Sequence, residues 1–182
     1  WILSQFPESS VAYNMPFQTE LNGTYDVESF EKAILAVIDR HEILRTVFIT
    51  ADSGEVRQRV LSSDALNFTM QFIDCSTNNN TPDYIEAYIE KDAYKQFDLE
   101  NGPLLRVSLL KVSDTKYVLY VNMHHIISDG WSLKVLAKDI LTYYEAYTQN
   151  IEIEIPALKI QYKDYACWQK DQSDNEKQLA QE

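Results

Sequence analysis

A chain of 182 residues is long enough for one well-buried domain and short for two. Hydrophobic residues make up 45% and charged residues 24%, an ordinary globular composition, and no apolar run approaches the length of a membrane span. The formal net charge of −12 argues against nucleic acid, because phosphate binding calls for clustered Lys and Arg.

The chain opens on Trp1-Ile2-Leu3 with no Met and no charged stretch leading into an apolar one, so no secretory signal is expected. Residues 17–23 read as a short strand closed by Asn22-Gly23. Asp26 is placed to N-cap a helix running to about Glu42, with Val27, Phe30, Ile34, Val37 and Ile38 on one face. Thr46 to Thr50 and Glu55 to Leu61 flank Asp52-Ser53-Gly54 and predict a hairpin. Phe68 to Asp74 is a further strand candidate. Asn78-Asn79-Asn80 is a loop, with Thr81 as N-cap and Pro82 at the first position of a helix to about Lys95. Its apolar stripe is Ile85, Ile89 and Ala93.

Asn101-Gly102-Pro103 breaks the chain before two β-rich runs, Leu104 to Val112 and Lys116 to His125, which the short Ser113-Asp114-Thr115 link should pair antiparallel. From Ser132 a long helix is expected to turn Leu133, Leu136, Ala137, Ile140, Tyr144 and Tyr147 inward. A last helix starts near Tyr162, and Tyr162, Tyr165 and Trp168 at three-residue spacing predict a packed face. The polar run from Asp171 to Glu182 closes the chain, and both ends read as cuts through a longer protein. No repeat is visible, and the mixture predicts an α/β sandwich with a mixed or mostly antiparallel sheet packed with helices. Cys75 and Cys167 are the only cysteines, so no disulfide framework exists and a reduced, cytoplasmic setting is expected.

The chemistry concentrates in Met123-His124-His125-Ile126-Ile127-Ser128-Asp129-Gly130-Trp131-Ser132. Neighbouring side chains of a strand point to opposite faces, so His125 is expected beside Leu119, Val121 and Met123, and His124 beside Tyr120 and Asn122. A neutral imidazole at a strand end can take a proton from an attacking amine, alcohol or thiol. The plainer alternative is one packed and one solvated ring. Asp129 could orient an imidazole, or pair with a cation and lock the turn. Gly130 lets backbone approach a substrate closely.

Other chemistries fit less well. The two imidazoles diverge and His41 is the only other His, which leaves a metal set incomplete. Cys167 lies between Ala166 and Trp168 with no His nearby in sequence. Gly130-Trp131-Ser132 begins like a nucleophile elbow but has Lys134 where the second Gly belongs. Asp129-Gly130-Trp131-Ser132-Leu133 faintly resembles a carrier-protein attachment site, yet a long strand leads in rather than a small bundle. No Gly-rich phosphate loop is present.

The His-His-x-x-x-Asp-Gly run resembles the active-site motif of nonribosomal peptide synthetase condensation domains, which share their fold with chloramphenicol acetyltransferase. Arg40-His41-Glu42-Ile43-Leu44-Arg45-Thr46-Val47-Phe48 is similar to the family's Arg-His-Glu-x-Leu-Arg-Thr-x-Phe segment. Tyr162-Lys163-Asp164-Tyr165-Ala166-Cys167-Trp168-Gln169 is similar to its Tyr-x-Asp-Tyr-Ala-x-Trp-Gln segment. Phe97-Asp98-Leu99 with Gly102-Pro103-Leu104-Leu105-Arg106, and the opening Trp1 to Tyr13, match in the same order.

That resemblance implies a chloramphenicol acetyltransferase-like two-layer sandwich, of which residues 1–182 are the N-terminal lobe and the C-terminal lobe is absent. It implies that His125 is the catalytic His and that Gly130 places its N–H near the reacting centre. His124 would be a packing residue, and Asp129 would form an ion pair with Arg40 or Arg45. The reaction implied is amide formation between a donor thioester and an acceptor amine, both carried on phosphopantetheine. The lobe would bind no cofactor and no metal itself. Its partners would be carrier domains upstream and downstream, the C-terminal lobe and an adenylation domain, with no nucleic acid or membrane. Ser128 and Trp131-Ser132 lean towards domains joining two L-configured residues. A coenzyme A-dependent acyltransferase, an epimerisation domain and an inactive carrier-recruiting platform remain alternatives, and the lobe alone is not expected to catalyse.

Overall fold

The computed structural model describes residues 1, 10–77, 81–153 and 155–179. Most of the opening segment, the Asn78–Asn80 loop and the last residues of the polar tail therefore lie outside the described residues. In chain order the elements are β1 (Asn14–Asn22), α1 (Val27–Arg40), β2 (Thr46–Thr50), β3 (Val56–Val60) and α2 (Ser63–Leu66). Then follow β4 (Gln71–Asp74), α3 (Thr81–Ala93), β5 (Leu105–Ser113), β6 (Lys116–His124), α4 (Ser132–Thr148) and α5 (Tyr162–Leu179).

Helix α1 starts where expected, because the Asp26 carboxylate accepts the Ser29 N–H at 3.0 Å. It ends two residues early: His41 takes an extended conformation (φ −103°), and a single 3-10 turn over Glu42–Arg45 leads into β2. β2 and β3 form the predicted hairpin as a separate two-stranded sheet. The strand expected over 68–74 is shorter. Ser62 caps the one-turn helix α2 through the Ala65 N–H, Asn67 ends it in the left-handed region (φ 50°), and pairing begins only at Gln71.

The main sheet has the order β1-β6-β5-β4. β6 pairs antiparallel with both β1 and β5, while β4 joins β5 in parallel, so the sheet is mixed. Gly102 turns the chain into β5 with φ +68°, and a Cβ there would stand 3.1 Å from the Val47 side chain, two reasons for glycine at one position.

Helices lie against both faces of this sheet. Phe30, Ile34, Val37 and Ile38 of α1 and Leu136 of α4 pack with Leu105, Val107, Leu109, Tyr117 and Met123. On the other face α3 lays Ile85, Tyr88 and Ile89 over Leu110, Val118 and Tyr120. Strand alternation sends successive residues to the two layers.

Two predicted helix faces differ in detail. On α4 the inward stripe is Leu133, Leu136, Ile140, Tyr143 and Tyr144, with Ala146 also buried. Ala137 is exposed, and Tyr147 instead stacks on Tyr143 at 6.0 Å. The helix packs on α1, and Tyr144 meets Phe30 edge-on at 5.4 Å, so its stripe follows the α1 groove. On α5 the expected packed face is open. Tyr162, Tyr165 and Trp168 are 48%, 45% and 57% exposed, and each ring meets the next at 5.9 Å. Helical spacing aligned them, but no described element covers them.

Candidate active site

The site is built on the end of β6. Two neighbours hold that end: the His124 N–H donates to the Leu104 carbonyl at 3.0 Å, and the His125 N–H to the Tyr13 carbonyl at 2.8 Å. The two imidazoles then diverge, as alternation requires of adjacent residues.

His124 is 3% exposed and continues the strip of Tyr120 and Asn122, as expected. Its ring lies 6.2 Å from Phe97, edge to face, and 6.0 Å from Tyr13. The Ile126 N–H donates to its Nδ1 at 3.0 Å. Nε2 has no hydrogen-bond partner among the described residues. Burial first, then the positive amino terminus and His125, push the pKa down to about 4, so the ring is neutral.

His125 stands differently from the expectation. β6 stops at His124, so His125 enters the turn instead of joining Leu119, Val121 and Met123 against α1 and α4. It is exposed, and its imidazole makes no hydrogen bond to a described residue. Both ring nitrogens are therefore available to a ligand.

Asp129 does not pair with an arginine. Its Oδ1 accepts the N–H groups of Trp131 (3.1 Å) and Ser132 (2.8 Å), while its own N–H donates to Ser132 Oγ at 2.8 Å. This reciprocal arrangement caps the N-terminus of α4, where unpaired N–H groups attract a carboxylate. The Ser132 contacts, then the Trp131 N–H and nearby His125, hold the Asp129 carboxyl below its ordinary value.

Both candidate arginines are engaged elsewhere. Arg40 Nε meets Asp139 of α4 at 3.0 Å and Arg40 Nη1 donates to the Pro156 carbonyl. Arg45 donates to the carbonyls of Leu61 and Asp39, with Glu42 at 3.8 Å. His41 shares the same Asp139 oxygen at 2.8 Å, so Arg40 and His41 tie α1 to α4 at a distance from the turn. The lock on the turn is therefore a helix cap, not an ion pair.

Gly130 has open space where a Cβ would stand and is not in the left-handed region, so nothing in this chain requires a glycine there. Two open grooves of about 680 and 670 Å³ flank α3, and His125 lines neither.

Sequence reasoning missed the support beneath His124. Asp92 of α3 forms an ion pair with Arg106, with Nε 2.7 Å from Oδ1, and accepts hydrogen bonds from the Tyr120 hydroxyl at 3.0 Å and Asn122 Nδ2 at 3.0 Å. The Arg106 guanidinium lies 3.7 Å over the Phe97 ring that meets His124. Burial, then the Asp92 charge, push the Tyr120 phenol well up, so it stays a donor. The alternation of Tyr120, Asn122 and His124 was a signal for a polar strip, but its partner on α3 carried none. Ser132 was also missed as a cap, although Asp-x-x-Ser is a readable capping pattern. Among the described residues no cluster of His, Cys, Asp or Glu could hold a metal ion, and no helix is long and apolar enough to cross a membrane.

Comparison with known proteins gives this geometry a setting. The family model described as Condensation domain matches residues 1–182. Bacitracin synthase 3 of Bacillus licheniformis is 39% identical over 171 residues, covering 94% of this chain and 2% of that protein. Malpinin synthetase of Mortierella alpina is 32% identical over 170 residues, covering 93% of this chain and 2% of its own length. The starter condensation domain of rhizomide synthetase RzmA superposes with a TM-score of 0.79 at 28% identity, covering 86% of this chain and 37% of that one. The first condensation domain of the calcium-dependent antibiotic synthetase shares the fold, with a TM-score of 0.79 at 18% identity. The chain thus spans a small part of these synthetases and well under half of the solved domain. With a family match from end to end and the same fold in solved members, the chain belongs to the condensation-domain family.

Proposed function

We propose that residues 1–182 are the N-terminal, His-bearing lobe of a domain that forms an amide bond between two carrier-bound groups. The observation that carries this reading is the His125 imidazole, exposed and without a hydrogen bond to any described residue, on a turn whose backbone is tied to Leu104 and Tyr13, within a condensation-family sequence. The donor is a thioester and the acceptor an amine, each on the phosphopantetheine arm of a carrier domain. The amine nitrogen attacks the carbonyl carbon, the C–N bond forms, the C–S bond breaks, and the amine proton ends on the departing thiol. His125 takes that proton or holds the amine in line, and the Gly130 N–H faces the reacting centre. The lobe uses no cofactor of its own and works in the cytoplasm beside carrier and adenylation domains.

The test is His125→Ala in the full parent domain with loaded carriers, reading amide product by mass spectrometry. Loss of the imidazole should lower the rate by about 10²- to 10⁴-fold. Wild-type product formation by the variant would overturn the assignment. Amide formation by the parent itself excludes a purely epimerising or inactive role.

A further inference from the structure

We propose that His124 is a positioning residue for His125, acting through the acceptor lone pair of its Nδ1 rather than as apolar filler. The proposal rests on the reading of His125 above. Three successive groups converge on residue 124 after the strand ends. The Ile126 N–H donates to its Nδ1 at 3.0 Å, the Ile127 N–H to its carbonyl at 3.1 Å, and Ser128 Oγ to the same carbonyl at 3.4 Å. The His125 N–H is tied to the Tyr13 carbonyl at 2.8 Å. Residue 125 therefore sits between fixed backbone on both sides, and only its own side-chain torsions remain free.

The same bond assigns the tautomer. A nitrogen that accepts an N–H carries no proton, so the neutral ring has its hydrogen on Nε2. The ring is clamped between Phe97 and Tyr13, with Arg106 on Phe97 from behind. Without the acceptor, the Ile126 N–H has no partner next to the reacting group and the turn relaxes. Displacement of a catalytic group by an ångström is enough to cost about 10²-fold in rate.

Packing and positioning predict opposite orders among variants. Asn places its side-chain oxygen close to where Nδ1 stands, Gln places its amide nearer Nε2, and Leu fills the space without accepting. In the parent domain, His124→Asn should keep kcat within about threefold of wild type, while His124→Leu and His124→Gln should lose about 10- to 100-fold with KM little changed. If Leu matches or exceeds Asn, the side chain is filler and the proposal fails. Equal rates for Asn and Gln overturn it as well.

Nitrogen-15 NMR of the wild-type imidazole between pH 6 and 8 needs neither variant stability nor turnover. It should show His124 protonated at Nε2 and bare at Nδ1. A proton on Nδ1 would overturn the proposal even where no variant folds. A wild-type parent that makes no amide would remove the proposed function, and the nitrogen assignment would still decide whether the turn is built this way.

Discussion

The two faces of the main sheet are made of different materials. Against α1 and α4 the contact is apolar throughout, from Phe30 and Ile38 to Leu109 and Met123. Against α3 it changes along the strand, from Val118 and Leu110 at one end to Tyr120, Asn122, Arg106 and His124 at the other. Apolar burial is non-directional, whereas hydrogen bonds and ion pairs prescribe angles and distances. The directional material lies under the turn that presents His125. The apolar packing of this chain and the polar contacts beneath the His125 turn are thus housed on opposite sides of one strand.

The hardest way to break that contrast is to damage each face in turn and follow urea unfolding. Phe30→Ala removes a ring 2% exposed and should cost about 3–5 kcal/mol, with the turn left intact in the folded fraction. Asp92→Ala removes the carboxylate beside Arg106 and leaves the Tyr120 hydroxyl without its acceptor, while Arg106 and Asn122 keep their bonds to the residue 92 carbonyl, and should cost about 1–3 kcal/mol. A loss well under 1 kcal/mol for Asp92→Ala would mean that the polar side is ornamental.

Acid sharpens the comparison, because His124 is buried neutral with a pKa near 4 against an ordinary 6.5. Between those values the unfolded chain binds a proton that the folded chain refuses, so stability falls as pH drops through the window. The full loss, reached below about pH 4, is about 3 kcal/mol. Melting curves from pH 7 to 4 should show it, and His124→Asn should remove that part of the pH dependence. Equal slopes for both proteins would place the acid sensitivity elsewhere.

The smallest effect is expected at Asp129. Asn caps a helix about as well as Asp, so Asp129→Asn should melt close to wild type while Asp129→Ala melts lower. A carboxylate paired with Arg40 or Arg45 would behave otherwise, and equal destabilisation by Asn and Ala would revive that pairing.

How far the sequence could be read depended on the range of the interactions. Asp26 and the stripe of α1, the 51–55 hairpin turn and the β5–β6 pairing rest on neighbours in the chain, and each was visible. The partners of Asp129 were also local, three residues away, yet its charge suggested a distant arginine instead of the nearby N–H groups. Asp92 reaches Arg106, Tyr120 and Asn122 across 14 to 30 residues, a pairing that no local pattern encodes. The aromatic spacing on α5 marked one face of a helix, but spacing does not say what covers it. His125 was assigned to the strand because β character runs through Met123 and His124. The step out of the sheet comes where the Ile126 and Ile127 N–H groups fold back onto His124, a turn that β propensity does not encode.

The β1–β6 register bears on where such a domain can be recombined with a relative. Asn14 stands opposite His124, and the residue before it supplies the carbonyl that anchors His125. Asn14 Nδ2 also reaches the carbonyls of Ala93 and Lys95, tying the same point to the end of α3. A fusion joint near residue 13 would therefore cut through the mounting of the turn that carries His125, although it lies more than a hundred residues away in the chain. A joint in the largely exposed 51–54 loop touches none of these contacts and lets segments be exchanged with the turn undisturbed.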